Sequence, residues 1–329
     1  MNHDAFCRSF YSPRRRRFLF AAPIVLALVA THQLALAQPG AGSLATSESH
    51  FDAARTLPAA SSIFYVTDYQ AGEIQYFPPS GGTGKVLASM IIKATGLAFD
   101  SAATLYVASD SSLNHEATIY TIPAKGGSPS IFYQGSDLRE AHGLAFDSNG
   151  NLFVATASGQ TVLEFMYPFT PPLRPVVYAD STDQLRQPIS LAFDSSGVLY
   201  VSNAYGGPVS TGSVLTFTAP HTETVLADTG FCVAYGLAFD MSGNLYVSNA
   251  GTLKNCGGYS IEEFHTDGSR TTFTTSNLNK PLGLLIDAAN NVYVVNSKAN
   301  QIEKFSPSGT GTVFANTAEA PHFLALKAR

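Results

Sequence analysis

The sequence has no tryptophan, only three cysteines and four methionines, and just 13% charged residues in 329. Without tryptophan no WD-type repeat can be built, because its signature requires that residue. So little charge, together with so many aromatics, excludes a solvated disordered chain and a charged coiled coil. Beyond the extreme N-terminus there is no basic stripe, so nucleic acid is not an expected partner. No apolar run after residue 30 approaches the length of a bilayer span. What the chain does have is 45% hydrophobic residues, 22 Phe, 15 Tyr, 27 Gly and 18 Pro. That is material for a sizeable core crossed by many turns.

The first 37 residues follow different rules. Arg14 to Arg17 precede an apolar run from Phe18 to Ala30, and Ala35-Leu36-Ala37 offers a small-x-small cleavage site before Gln38. This is the pattern of a secretory signal peptide. Arg15-Arg16-Arg17-Phe18-Leu19 also resembles a twin-arginine export signal, so both an ordinary and a twin-arginine route fit. The segment carries five arginines and one aspartate, so its removal takes the formal net charge from −5 to −9. Cys7 leaves with it. Cys232 and Cys256 remain, and in an oxidising compartment such a pair reads as a disulfide. The expected organisation is a signal peptide (1–37), an Ala/Ser/Gly-rich linker (38–60) and one exported domain (61–329), periplasmic or extracellular and monomeric.

An internal repeat decides the fold class. Gly96-Leu-Ala-Phe-Asp100 recurs at Gly143, Ser190 and Gly236, and as Gly283-Leu-Leu-Ile-Asp287, at spacings of 46 or 47 residues. Nine residues after each start comes Leu105-Tyr-Val, Leu152-Phe-Val, Leu199-Tyr-Val, Leu245-Tyr-Val or Val292-Tyr-Val, with Phe64-Tyr-Val as a sixth copy. A third phrase of the form Ile-x-x-Phe follows, then a weaker fourth. Each is short, β-branched or aromatic, and bounded by turn formers, as strands are. The expected fold is all-β, a six-bladed β-propeller of four-stranded blades. The first unit lacks its innermost strand, and Pro321-His-Phe-Leu-Ala-Leu326 aligns with the inner strands. The C-terminal strand should therefore complete blade one.

The combination Gly-Leu-Ala-Phe-Asp-x-x-Gly-Asn-Leu-Tyr-Val-Ser-Asn followed by Ile-x-x-Phe resembles NHL-repeat propellers, with SMP-30/gluconolactonase-type propellers as relatives. The resemblance covers residues 61–329. A propeller does not itself specify a function.

The repeated acids Asp100, Asp147, Asp194, Asp240 and Asp287 each open an Asp-x-x-Gly-like turn and are read as turn formers. Asn203, Asn249 and Asn296, with Asp68 at the same point of blade one, end second strands, where such a side chain braces the following loop. The same asparagines, with Arg139, are also the candidates for a binding face. Loops after second strands vary most in length, and variable loops on a rigid scaffold carry function. At that end, the residues just before each inner phrase should ring the channel mouth: Thr95, His142, Ile189, Tyr235, Leu282 and His322. His142, Tyr235 and His322 fall in alternate blades and would form a triangle. The pattern partly resembles NHL-type peptidyl-hydroxyglycine amidating lyases, where three alternate blades present histidine to zinc. The resemblance implies His142 and His322 as metal ligands, with Tyr235 in the third position. Zinc or calcium is the metal to test for, and Tyr235 or Asp68 is the candidate general base.

Two functions follow as expectations. One is an exported propeller binding a peptide, glycan or partner protein through its long-loop end. The alternative is a metal-assisted lyase or hydrolase, amidating-lyase-like or lactonase-like, at the channel mouth.

Overall fold

In the computed structural model the described residues are 62–110, 117–123, 125–205, 211–251 and 258–328. The proposed signal peptide and linker, Cys256 and His115 lie outside them. Six antiparallel sheets follow one another around an axis, each of four strands, and blade six gains a fifth. In blade three, for example, Ala141–Phe146, Leu152–Thr156, Thr161–Phe165 and Val176–Ala179 run from the axis outward. Among the described residues no helix is long and apolar enough to cross a membrane.

The ring closes as the repeat requires. The C-terminal strand Pro321–Ala328 pairs antiparallel with Ser62–Asp68, setting Val66 opposite Leu324 and Phe64 opposite Leu326. A second closure was not legible in the repeat. Gly82 and Thr83, in the turn between the outer strands of blade one, pair in parallel with Ala315 and Asn316 of blade six. Gly81 permits this approach, because a Cβ there would stand 2.0 Å from the Phe314 carbonyl oxygen. Phe64, Tyr293 and Phe314 fill the same seam, with ring centroids 4.6 to 5.0 Å apart.

The inner strands crowd one another, and the repeat glycine is the response. A Cβ on Gly96 would lie 1.9 Å from the His142 carbonyl oxygen, where no side chain can be accommodated. Hydroxyls join neighbouring blades at the same level. Ser202 Oγ accepts from Ser190 N–H and donates to the Tyr235 carbonyl of the next blade at 2.5 Å. Ser248 Oγ accepts from Gly236 N–H and donates to the Leu282 carbonyl. Thr95 reaches the Ala141 carbonyl of blade three at 2.7 Å, and within blade one Thr67 links to Phe323 in both directions. Each inner strand is irregular at this point, and the hydroxyl takes up a backbone group that the ladder leaves over. The repeated aspartates are turn formers, as expected: Asp147 Oδ1 accepts from Asn149 and Asn151 N–H, and Asp194, Asp240 and Asp287 do the same in their turns.

Two outcomes are expected. Deleting residues 320–329 exposes both Ser62–Asp68 and the blade-two face that it covers, and should abolish cooperative thermal unfolding near the parent Tm. A truncated chain that melts like the full one would contradict the closure. Ser248→Ala leaves a buried N–H and a buried carbonyl unpaired and should cost about 1–3 kcal/mol in denaturant titration.

Candidate functional site

At the end that carries the long loops, the residue that follows each second strand donates its N–H to the carbonyl of the residue that enters the blade. The pairs include Asp110 to Lys93, Ala157 to Glu140, Ala204 to Gln187, Ala250 to Val233, Ser297 to Lys280 and Tyr69 to Ala320. Six equivalent bonds hold six equivalent positions around the mouth. The side chains at those positions then differ by blade: alanine or serine in four, tyrosine and aspartate in blades one and two.

Two of the ring residues expected from the sequence meet, and the third acts on one of them through its charge. The Tyr235 hydroxyl lies 3.4 Å from His322 Nδ1, and the two rings meet edge to face at 6.3 Å. His142 is near enough for its charge to oppose protonation of His322. Thr95, Ile189 and Leu282 complete the ring as buried residues. His142 Nδ1 is out of contact with solvent and has no hydrogen-bond partner among the described residues.

Burial sets the protonation of all three. It pulls the His322 imidazole down to about 3, assisted by the nearby charges of His142 and Lys280. It also lowers His142, against smaller opposing pulls from Asp110 and Glu140. Burial, with a small push from Tyr69, raises the Tyr235 phenol far above its ordinary range. At neutral pH the site therefore holds two neutral imidazoles and a protonated phenol.

Blade one and blade two add residues that the triangle argument missed. Tyr69 stacks on the His322 ring at 4.6 Å and 15°. Its hydroxyl donates to Asp110 Oδ2 at 3.3 Å, which lies 3.7 Å from Lys93 Nζ. Lys93 also stands over the Tyr69 ring at 5.7 Å. The signal was present in the repeat, since Tyr69 and Asp110 occupy positions that other blades give to Ala or Ser.

Several assignments need correction. Asp68 is not placed as a general base: it is buried, and its carboxylate accepts from the N–H groups of Ala71 and Glu319. Tyr235 is not a base either, because its proton is held by burial. Asn203, Asn249 and Asn296 are buried, so they do not present a binding face. Their amides brace the loops that enter the blades. Asn203 accepts from Arg186 N–H and donates to the Gln184 carbonyl, and Asn296 joins Asn279 N–H to the Asn277 carbonyl. Asn249 accepts from Cys232 N–H and donates to Gly258 of the following loop. Arg139 is exposed at this end. Cys232 is fully buried, with its Cβ 2.2 Å from where a Cβ on Gly251 would stand. The Cys232 loop thus runs against the start of the loop that carries Cys256. His221 is exposed and engaged, with Nδ1 2.6 Å from Asp183 Oδ2.

The imidazoles imply a pH dependence. The ordinary histidine value is 6.5, and His322 in the fold titrates near 3. Between those values the unfolded chain binds more protons, so stability present at neutral pH is lost as pH falls through that interval. His322→Phe keeps the stack on Tyr69 and removes the titration. Its loss of Tm from about pH 7 to about pH 4.5 should be smaller than that of the parent, measured by calorimetry.

No protein-family model matches the chain, and no curated protein matches it. Solved structures do. A chain of a nidogen/laminin complex superposes with a TM-score of 0.67 at 19% identity, covering 80% of this chain and 98% of that one. Virginiamycin B lyase from Staphylococcus aureus superposes at 0.55 and 14% identity, covering 82% and 90%. A streptogramin B lyase superposes at 0.57 and 15% identity, covering 80% and 89%. At such identities the likeness is one of fold, and the fold shared with them is the six-bladed β-propeller.

Proposed function

We propose that this chain is an exported propeller that binds a peptide, glycan or protein ligand at its long-loop end, anchored at the channel mouth. The observation that carries the reading is the convergence of Tyr69, Asp110, His142, Tyr235 and His322 from four blades. Stacked aromatic rings, one carboxylate, one ammonium and an unpartnered imidazole nitrogen offer both apolar contact and directed hydrogen bonds to a ligand. The scaffold suits the role: the nidogen structure is a complex with laminin. The N-terminal pattern supports export. The Cys232–Cys256 disulfide belongs to the same proposal, as a pin for one loop of this end.

A second reading, a metal-assisted lyase or hydrolase, is favoured by one specific feature, the orphaned His142 Nδ1 beside a second neutral imidazole. Neutral imidazoles suit zinc and not calcium, which prefers oxygen ligands. His142 and His322 would hold the ion, which would polarise a substrate oxygen. Tyr235 keeps its proton and fits the role of hydrogen-bond donor rather than third ligand or base. Two of the similar structures are lyases, so the scaffold also accommodates such chemistry.

The two readings separate on one preparation. Residues 38–329 are purified without chelator, analysed for metal, and probed on peptide and glycan arrays. The binding reading expects less than stoichiometric zinc and an array ligand whose signal collapses in Tyr69→Ala and His322→Ala while Tm is nearly kept. Stoichiometric zinc lost in His142→Ala, with no array ligand, would overturn it in favour of the enzyme.

A further inference from the structure

At the opposite end of the propeller the six blades differ in one outer-strand residue. Each fourth strand carries a single residue at its register shift, and in blades two, three, five and six that residue is Phe132, Tyr178, Phe273 or Phe314. Its ring lies on the aromatic ring of the same blade's second strand. The centroid distances are 5.1 Å for Tyr106–Phe132, 5.0 Å for Phe153–Tyr178, 5.3 Å for Tyr246–Phe273 and 5.0 Å for Tyr293–Phe314. Blades one and four carry leucine instead, Leu87 and Leu226. Both leucines line open grooves, of about 370 Å³ between blades one and two and about 620 Å³ between blades four and five.

The molecule itself shows how a ring seats between two blades, at a place where that outer-strand residue is aromatic. Between blades two and three, the connection after the third strand of blade three is long (residues 166–175) and seats Phe169 against Phe132 at 5.0 Å and Tyr106 at 6.2 Å. Between blades four and five, the equivalent connection is the short turn that begins at His265; it contributes no phenyl ring, and His265 and Thr266 line the groove there. Tyr200 and Phe239 there form the same edge-to-face pair as Tyr106 and Phe146, at 4.9 and 5.1 Å. Leu226 and Met241 line the opening and are exposed, Met241 at 63%. Asp194 and Asp240 also line it, and no lysine or arginine does. Residues 166–175 carry one arginine and no acid.

We propose that the groove between blades four and five is a docking site for an extended peptide segment of a partner protein, one that carries an aromatic side chain and positive charge and takes the place that Phe169 takes two blades away. This surface lies at the other end of the channel from the imidazole cluster and does not depend on its role. The aromatic ring is the anchor, since a buried aromatic in a preformed pocket supplies most of the affinity of a small interface. The two carboxylates favour a basic neighbour and reject an acidic one.

The probe is a fluorescein-labelled peptide with the sequence of residues 166–175, titrated into the mature chain and followed by anisotropy. Saturable binding is expected. It should weaken at least about tenfold when the peptide's Phe169 position is alanine, and again in the protein variant Met241→Lys, which sets a positive charge at the exposed lip of the groove. Leu226→Phe, which supplies the counterpart of the Phe132 ring that Phe169 packs on, should keep or tighten binding. An unchanged Tm for Met241→Lys shows that the groove and not the fold has changed; should that variant fail to fold, Leu226→Lys reads the same surface. Absence of binding at millimolar peptide, binding indifferent to Met241→Lys or its substitute, or binding abolished in Leu226→Phe, overturns the proposal. N-acetylphenylalanine amide binding as tightly as the peptide also overturns it, in favour of a small aromatic ligand.

Discussion

The structure depends on how closely neighbouring inner strands approach around the axis. At Gly96 and Gly143 the next blade's backbone stands where a Cβ would be, with the His142 and Ile189 carbonyl oxygens 1.9 and 2.6 Å from it. Contact that close fixes the inner strands' relative height and rotation. It also brings buried carbonyls into line with hydroxyls of the blade before, so that Ser202, Ser248 and Thr95 satisfy groups which the sheet ladders leave over. In a packed interior an unpaired carbonyl costs as much as a lost hydrogen bond, so these contacts specify a geometry as well as stabilise it.

That geometry determines what stands at the mouth. The residue that precedes each inner-strand phrase is held against its neighbours: Tyr235 stands before Gly236 and His322 before Phe323, and their rings meet edge to face. The mouth is consequently dry enough to keep two imidazoles neutral and a phenol protonated. Groups in that state donate and accept hydrogen bonds without the cost of burying a net charge. The charged pair Lys93–Asp110 sits on the solvent side of Tyr69, where water still reaches it.

The two ends of the channel have different characters for a topological reason. Connections after second strands and those that enter blades share one end, and their lengths vary. Connections after first and third strands share the other, where Asp-led turns hold the chain tightly. Two connections depart from this: that around Gly82–Thr83, which pairs with blade six, and residues 166–175, which fold back as an aromatic plug between blades two and three. The end richest in turns thus also records, in one blade pair, what an occupied inter-blade groove looks like.

The sequence by itself determined the all-β class, the number of blades, the strand order and the closure by residues 321–328, because a repeat writes the same local physics six times. It also singled out His142, Tyr235 and His322, because departures from a repeat are visible against it. It assigned Asp68 and the three asparagines too much, because a polar side chain at a strand end reads the same whether it faces a ligand or a backbone amide. Only the tertiary structure decided that those side chains are consumed by loop bracing and that Tyr69 lies on His322. Only there does the Gly82–Thr83 strand join blade six, and only there does leucine in place of an aromatic leave a groove. Each of these rests on contacts between segments tens to hundreds of residues apart, and no local pattern encodes where such segments meet.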